Sequence, residues 1–484
     1  MRYLFLTGAT GLVGRYLLRD LLAADVRVAA MARPGKGQAA LEAIMGRWEK
    51  ESGRSLPRPV VIEGDLCHPQ VVPDAGQRRW LAAHCDEILH CAASMTFRED
   101  KYGEPFRTNR DGMQRLLDLC RQAGIRKFHH VSTAYICGLR TGRIYEHEID
   151  AGQQNGNVYE QSKLAAEKML HAADFIDRLT IYRPSSVVGD SQTGYTVSSH
   201  GFYLPLQLAY VMTDKVPVEL MGERFFRLLG LQGDEGKNLV PVDWLSAAIV
   251  HLVTHPEHHG TTYHMSNPRP VTVRRIQGVV QEAIEKHSTR RFAGTLGEAE
   301  IVQLENLFRQ YMDIYRSHWR DDPIFDCSRT KKAIPHLPCP DVDDAMLMRI
   351  ASYPVKEKFI LKRLDPPLSG FQPSEHLERL AASGACATAV GRHGGTVGIE
   401  ISGRRGGQWS LLIDDGRVVG IEPGLGSTDR ARCYLNSHTF SSLVAGSSSV
   451  EASLRSGRVL IEGNAPGDAQ QVFVTILESL VSPA

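Results

Sequence analysis

The sequence of 484 residues has no apolar run approaching the roughly eighteen residues that a membrane-spanning helix needs, so no transmembrane segment is expected. It has no long block of like charge: 56 basic residues stand against 55 acidic ones, for a formal charge of +1. Binding nucleic acid or an anionic membrane calls for a concentrated field of one sign, and neither partner is expected. Nine cysteines are scattered without a C-x-x-C pair or any metal-ligand spacing. An odd, dispersed set fits a reduced cytoplasmic compartment, and no metal site is expected. The opening "MRYLFLTGAT" runs straight into a glycine motif, so no cleavable leader is expected. The length calls for about three domains.

What is present begins with "RYLFLTGATGLVGRYLLRDLLAA": a short apolar strand, a glycine turn, then Leu17, Leu18, Leu21 and Leu22 at helical spacing. Gly8, Gly11 and Gly14 form G-x-x-G-x-x-G, a spacing variant of the dinucleotide fingerprint. Glycines let the turn close, let backbone N–H groups reach a pyrophosphate and let the helix pack on the strand. The helix N-terminus adds partial positive charge. Thr10, Leu12 and Val13 fall in the same turn and are expected to touch the cofactor.

The second strand, "VRVAAMA", should end near the adenosine ribose. Ala32 offers no carboxylate to ribose hydroxyls, whereas Arg33, with Lys36 close behind, suits a 2′-phosphate. NADPH is therefore the expected cofactor. "VVIEGDL" (60–66) and "EILHCAAS" (87–94) read as buried strands whose carboxyl ends line the cofactor crevice. Asp65, beside Leu66, is placed to accept from the adenine amine, and His90, Cys91, Ala92 and Ala93 allow close approach. Asn109 falls on a following helix. "KFHHVSTAYICG" is a strand ending in Ser132 and Thr133, and "LTIYRPSSVVGDSQTG" brings Pro184, Ser185 and Val187 to another strand end.

Between these two strands lies "NVYEQSKLAAEK", with Tyr159 and Lys163 one helical turn apart on a shared face. Alone the pattern also suits an ordinary exposed helix. The pieces T-G-A-T-G-L-V-G, G-D-L, H-C-A-A, T-N-R-D-G, V-S-T-A-Y, Y-E-Q-S-K, R-P-S-S-V-V-G-D and V-P-V-D-W-L follow one another over residues 1 to 275. In that order they resemble an extended short-chain dehydrogenase/reductase. The resemblance implies a doubly wound parallel α/β sheet of Rossmann type with a substrate subdomain. It also implies a catalytic set of Thr133, Tyr159 as acid and Lys163 as its tuning cation, with Lys163 also on the cofactor ribose; Asn109 matches a structural polar position. A lysine beside the phenol pulls its pKa toward working pH, and a threonine hydroxyl stabilises the developing oxyanion.

The insertion "LEAIMGRWEKESG", the "HCAASMTF" segment and the apolar stretch after "RPSSVVGDSQTG" resemble the thioester reductase and fatty acyl reductase branch. That branch implies reduction of a hydrophobic acyl thioester, on coenzyme A or a carrier protein, to aldehyde or alcohol. The alternative is a ketone or alcohol oxidoreductase acting on a lipid or polyketide. A nucleotide-sugar epimerase or dehydratase fits less well, because Ala134 and Tyr135 follow Thr133 without the neighbouring acid/base pair. A silent dinucleotide sensor is disfavoured by the intact Tyr159 and Lys163. Leu204, Leu208, Val211 and Met212, in the substrate segments at about 190–235, form either core or a wall for an acyl chain.

Residues 276–365 read as a helical substrate or lid region, with Thr295 and Glu298 as a capping box. Ile301, Leu304, Leu307, Phe308, Tyr311 and Met312 form its apolar stripe. A proline- and serine-rich linker at 364–374 precedes a glycine-rich segment of alternating strands, in which Asp415-Gly416 signals a hairpin. G-Q-W-S-L, T-F-S-S-L-V-A-G and S-G-R-V-L-I-E-G-N make residues 376–484 resemble the sterol carrier protein-like domain. This implies an apolar tunnel and lipid binding; a packing or dimerisation module is the other reading. Oligomeric state stays open.

Overall fold

The computed structural model describes residues 2–35, 37–198, 200–213, 227–288, 297–359, 372–383, 394–402, 406–446, 448–455, 459–463 and 466–480. The chain divides into two compact units, residues 1–366 and 367–484. The first is built on β1 (Tyr3–Thr7), β2 (Val28–Ala32), β3 (Val60–Glu63), β4 (Cys85–His90), β5 (Lys127–Val131), β6 (Arg178–Pro184) and β7 (Thr262–Met265). These form one sheet in the order β7-β6-β5-β4-β1-β2-β3, with every pairing parallel. This is the doubly wound architecture expected from the sequence.

Parallel neighbours need crossovers, so helices must cover both faces of such a sheet. The helices up to residue 212 are α1 (Leu12–Ala23), α2 (Gly37–Ser52), α3 (Ala75–His84), α4 (Gly112–Ala123), α5 (Val158–His171) and α6 (Tyr203–Met212). Strand β1 serves both faces through its period of two: Leu4 and Leu6 enter one core layer and Phe5 the other. On the first face, Leu17, Leu18 and Leu21 of α1 share a core with Ala248, Ile249 and Leu252 of α7 (Val242–Thr254). On the second, Leu116 and Cys120 of α4 and Ala166 and Leu170 of α5 join Phe5, Ile88 and Phe128. Each fully buried Leu or Phe contributes about 1.5–3 kcal/mol.

Helix α5 is fixed at two places. At its start Asn157 Oδ1 accepts from the Glu160 N–H (2.9 Å), and the Glu160 carboxylate accepts from the N–H of Gly156, one residue before the cap (2.7 Å). Two turns on, Glu167 meets Arg183 of β6. Arg183 donates from Nε to Oε1 at 3.0 Å and from Nη2 to Oε2 at 2.6 Å, and the side chains are 1 % and 0 % exposed. Arg183 Nη1 donates to the Glu148 carbonyl at 2.7 Å. The pair sets the rotation of α5 against the sheet.

A smaller helical layer joins α6, α8 (Val273–His287) and α10 (Asp344–Lys356) through Leu206, Tyr210, Val279, Ala283, Leu347 and Ile350. Pro205 lies in the first turn of α6, where a missing N–H costs nothing. Helix α9 (Glu298–Met312) departs from expectation at its start. Thr295 lies outside the described residues, and the Gly297 N–H donates to Glu300 Oε2 at 2.8 Å, so Glu300 takes the part expected of Glu298. Leu304, Phe308 and Met312 pack with Leu204, Leu208 and Met212, so that much of both stripes is core. The side chains of Leu307 and Tyr311, and residues 214–226 of the expected substrate segments, lie outside the described residues.

The second unit holds β8 (Gly395–Ser402), β9 (Gly407–Asp414), β10 (Arg417–Pro423), β11 (Ala431–Asn436) and β12 (Val459–Gly463) in the order β10-β9-β8-β11-β12. The sheet is mixed: β8 and β11 are parallel and the other pairings antiparallel. Asp415 (φ 42°) and Gly416 (φ 71°) close the β9–β10 hairpin as expected. The helix Pro373–Ser383 begins inside the expected linker and adds Leu377 and Leu380 to a core with Phe440, Phe473 and Leu477.

Removing one partner of a buried ion pair leaves an uncompensated charge. Glu167→Ala should therefore cost about 3–5 kcal/mol in urea unfolding followed by circular dichroism, with most of it recovered in Arg183→Met/Glu167→Leu. A loss of about 1 kcal/mol or less, as for a surface pair, would remove the pair from this role.

Candidate active site

At the end of β1 the chain turns at Gly8, whose φ of +77° lies in the left-handed region. A Cβ on Gly8 would lie 2.6 Å from the Ala92 nitrogen, and one on Gly14 would lie 2.0 Å from the Gly8 carbonyl oxygen. Only glycine lets the ends of β1 and β4 and the start of α1 approach this closely. The Gly11 N–H donates to the Gly8 carbonyl at 3.0 Å. Helix α1 starts on Gly11 with no side-chain cap and no acidic residue in its first turn. Its first N–H groups and positive dipole end are thus left for an anion. The turn sits where the strand order reverses between β1 and β4, and it fits a dinucleotide pyrophosphate. Thr10 and Gly11 are exposed there, and Leu12 and Val13 half-buried.

Arg15, which the sequence reading passed over, braces this turn from behind. Its buried guanidinium donates to the Thr10 carbonyl (2.7 Å), the Gly11 carbonyl (3.2 Å) and the Tyr195 hydroxyl (2.5 Å). Arg33 stands exposed at the end of β2, and its side chain has no hydrogen-bond or ion-pair partner among the described residues. Lys36 lies outside them. Asp65 accepts from the Cys67 N–H at 2.8 Å through one oxygen. Leu66 is buried, Cys91 and Ala92 are half-buried and Ala93 is exposed along the crevice.

Asn109 sits on a single π-helical turn, 107–111, and faces inward. It accepts from the Ser94 N–H (2.8 Å) and donates to the Ser94 carbonyl (2.9 Å) and Ser162 Oγ (2.9 Å), tying the exit of β4 to α5. Ser185 donates to Asn238 Oδ1 at 2.6 Å, next to Pro184 at the end of β6; Val187 is half-buried in the short strand that follows.

Lys163 is buried, and Nζ donates to the Val131 carbonyl at 2.9 Å, two residues before Thr133. Tyr159 lies one turn earlier on α5, and Thr133 follows the end of β5. Thr133 is buried at the head of a short 3₁₀ turn, its hydroxyl 3.5 Å from the Pro184 carbonyl. The Tyr159 hydroxyl has no hydrogen-bond partner among the described residues, and the Phe97 ring sits edge-on at 5.6 Å. Burial pushes the Tyr159 phenol up and the nearby Glu160 and Cys91 add to this, the opposite of the lowering expected from Lys163, because no charge offsets the loss of solvent around the phenol. Burial pushes the Lys163 ammonium down to about 8, against the opposing pull of Glu167. At neutral pH both groups therefore carry protons.

The sequence reading also missed His130. Its Nε2 lies 3.2 Å from Lys163 Nζ, and its ring stacks on His90 at 5.3 Å. His90 Nδ1 is in turn 2.7 Å from Thr7 Oγ1. Burial, then the Lys163 charge, hold His130 well below the usual imidazole range. Neutral His130 then accepts from Lys163 through Nε2, which places its proton on Nδ1, a buried atom with no hydrogen-bond partner among the described residues. A histidine in mid-strand reads as core, and nothing in its spacing marked it.

A parallel sheet, a glycine turn at its switch point and Tyr159 and Lys163 on one helix face define an NAD(P)-dependent oxidoreductase of the extended short-chain dehydrogenase/reductase class. Residues 6–249 match the Male sterility protein family of NAD-binding domains, and the chain belongs to it. Sterol demethylase protein B of Methylococcus capsulatus is 30 % identical over 240 residues, 45 % of this chain and 67 % of that protein. Nonribosomal peptide synthetase asaC of Aspergillus flavus is 25 % identical over 283 residues, 55 % of this chain and 26 % of that protein. Isonitrile lipopeptide synthase of Streptomyces coeruleorubidus is 30 % identical over 258 residues, 51 % of this chain and 16 % of that protein. The chain thus spans only a minor part of the length of these last two relatives. Among solved structures, the terminal R domain from the myxalamid PKS-NRPS biosynthetic pathway is 25 % identical with a TM-score of 0.57, covering 74 % of this chain and 92 % of that one.

A Lys163 pKa of about 8 predicts that kcat/KM declines above pH 8 as the ammonium is lost. Replacing His130 with Phe removes an acceptor that favours the charged form, so this alkaline limb should move to lower pH. A pH–rate profile checks it; a limb unmoved in His130→Phe rules out His130 as a support of Lys163.

Proposed function

We propose that this chain uses NADPH to reduce a hydrophobic acyl thioester, carried on coenzyme A or a carrier protein, to the aldehyde or alcohol. The observation that carries the thioester reading is the likeness to the myxalamid terminal R domain over nearly all of that domain. The exposed, unpartnered Arg33 after Ala32 supports NADPH over NADH.

Bound NADPH supplies the hydride. The residues of the chain do the rest. Tyr159, protonated and without an internal partner, donates to the carbonyl oxygen as hydride reaches the carbon. The Thr133 hydroxyl turns from its long contact with Pro184 to the same oxygen, and Lys163 stabilises the phenolate left behind. The thiohemiacetal then collapses to aldehyde and thiol. A cleft of about 330 Å³ lined by Phe97, Asn157, Val158, Arg316 and Ser317 opens beside Tyr159 and supports entry of substrate on that side. Phe97 also packs against Tyr315 and His318, at 4.9 and 5.6 Å, which supports an aromatic wall there. We assign residues 276–365 to a helical lid, and the 376–484 region to a sterol carrier protein-like module that holds the apolar substrate.

A long-chain acyl thioester, set against a matched β-ketoacyl thioester with NADPH, should give aldehyde or primary alcohol. Reduction of the ketone alone would return the chain to ketone reductases. Tyr159→Phe should lower turnover roughly a hundredfold with NADPH affinity nearly unchanged. Arg33→Ala should raise KM for NADPH far more than for NADH; equal effects on the two cofactors defeat the 2′-phosphate assignment.

A further inference from the structure

Three side chains that no part of this chemistry uses converge toward the amino ends of the sheet strands: Glu87 of β4, His129 of β5 and His259 in the turn between α7 and β7. Their ligand atoms all lie within 4.8 Å of one another. Glu87 Oε1 is 2.7 Å from His129 Nε2 and 3.7 Å from His259 Nδ1. The two imidazoles are buried, and Glu87 is 19 % exposed, which gives a small ion a way in. The crevice between Gly8 and Ala92 lies at the opposite, carboxyl ends of the strands.

The outer nitrogens determine what the inner ones present. His259 Nε2 is 3.0 Å from the Val253 carbonyl, which can only accept, so the proton of a neutral ring sits there. His259 Nδ1 is then a lone pair facing the Glu87 carboxylate at 3.7 Å. His129 Nδ1 is 2.8 Å from the Tyr182 hydroxyl, which can accept its proton and free Nε2 as a second lone pair. An outer hydrogen bond on each histidine and a carboxylate between them is the arrangement that holds a metal ion. Lys127, on the same strand as His129, is turned to Asp86 at 3.4 Å.

We propose that Glu87, His129 and His259 bind one divalent cation of the zinc class, with water completing the shell. Two imidazoles and a carboxylate match zinc, and a tetrahedral site needs ligand atoms roughly 3.3 Å apart. Rotation of the Glu87 carboxylate away from His129 supplies that spacing. The ion clips β4, β5 and the α7–β7 turn together and takes no part in hydride transfer.

The test uses the full chain, stripped with a chelator and titrated with Zn²⁺ by calorimetry and metal analysis. One ion per chain should bind with Kd below about 10 μM, and Tm should rise by about 3 °C at a hundredfold excess over Kd. Glu87→Gln and His259→Gln should each lose this site while keeping NADPH binding. Co²⁺ in the wild type should give visible d–d bands without thiolate charge-transfer bands, which separates this site from the cysteines even if a variant fails to fold. No binding at this affinity, equal uptake by folded variants, or thiolate bands would each overturn the proposal, leaving a hydrogen-bonded network only.

Discussion

The ion pair between Arg183 and Glu167 is the constraint on which the placement of α5 rests. Helix α5 carries Tyr159 and Lys163 on the face that carries Glu167, and Arg183 belongs to β6, whose end supplies Pro184 and Ser185. A helix packed by apolar contacts alone can slide or roll at little cost, because dispersion is nearly indifferent to small rotations. A bidentate guanidinium–carboxylate pair in a dry interior is not indifferent. It holds the helix at one rotation, and with it the reach of Lys163 to the Val131 carbonyl.

Burial does most of the electrostatic work. It keeps the phenol of Tyr159 protonated and lowers the Lys163 ammonium to about 8, while Glu167, on the same helix, limits that fall. The histidines beneath are held neutral, so that His90 and His130 form an uncharged stack under the lysine. One Glu–Arg pair therefore has two duties, one mechanical and one electrostatic.

How much of this was legible in the sequence depends on the range of the interaction. Leu17, Leu18, Leu21 and Leu22 announced α1 because helical periodicity is local, and Asp415-Gly416 announced a hairpin because a turn is local too. The glycine turn was legible because backbone geometry demands those residues in that order. The partnership of Arg183 with Glu167 was not, since both read as ordinary charges on separate elements. The same holds for Arg15 and Tyr195, which are 180 positions apart, and for Glu87 and His129, 42 positions apart, which only the parallel register of β4 and β5 brings together. The start of α9 was misplaced because a side chain two residues on, Glu300, supplied the capping bond. The helix Pro373–Ser383 was hidden by the prolines around it.

Arg15 joins the glycine turn to the helical layer. Its guanidinium holds the carbonyls of the glycine turn with two nitrogens and the Tyr195 hydroxyl with the third; the Tyr195 ring meets Tyr353 of α10 at 5.6 Å. Any change in the turn that alters those carbonyls alters the hold on Tyr195, and so the seat of α10 in the helical layer. Thermodynamic linkage makes such a connection reciprocal: whatever orders the helical layer also tightens the turn. The glycine turn and the helical layer are thus not independent, because one buried arginine holds both.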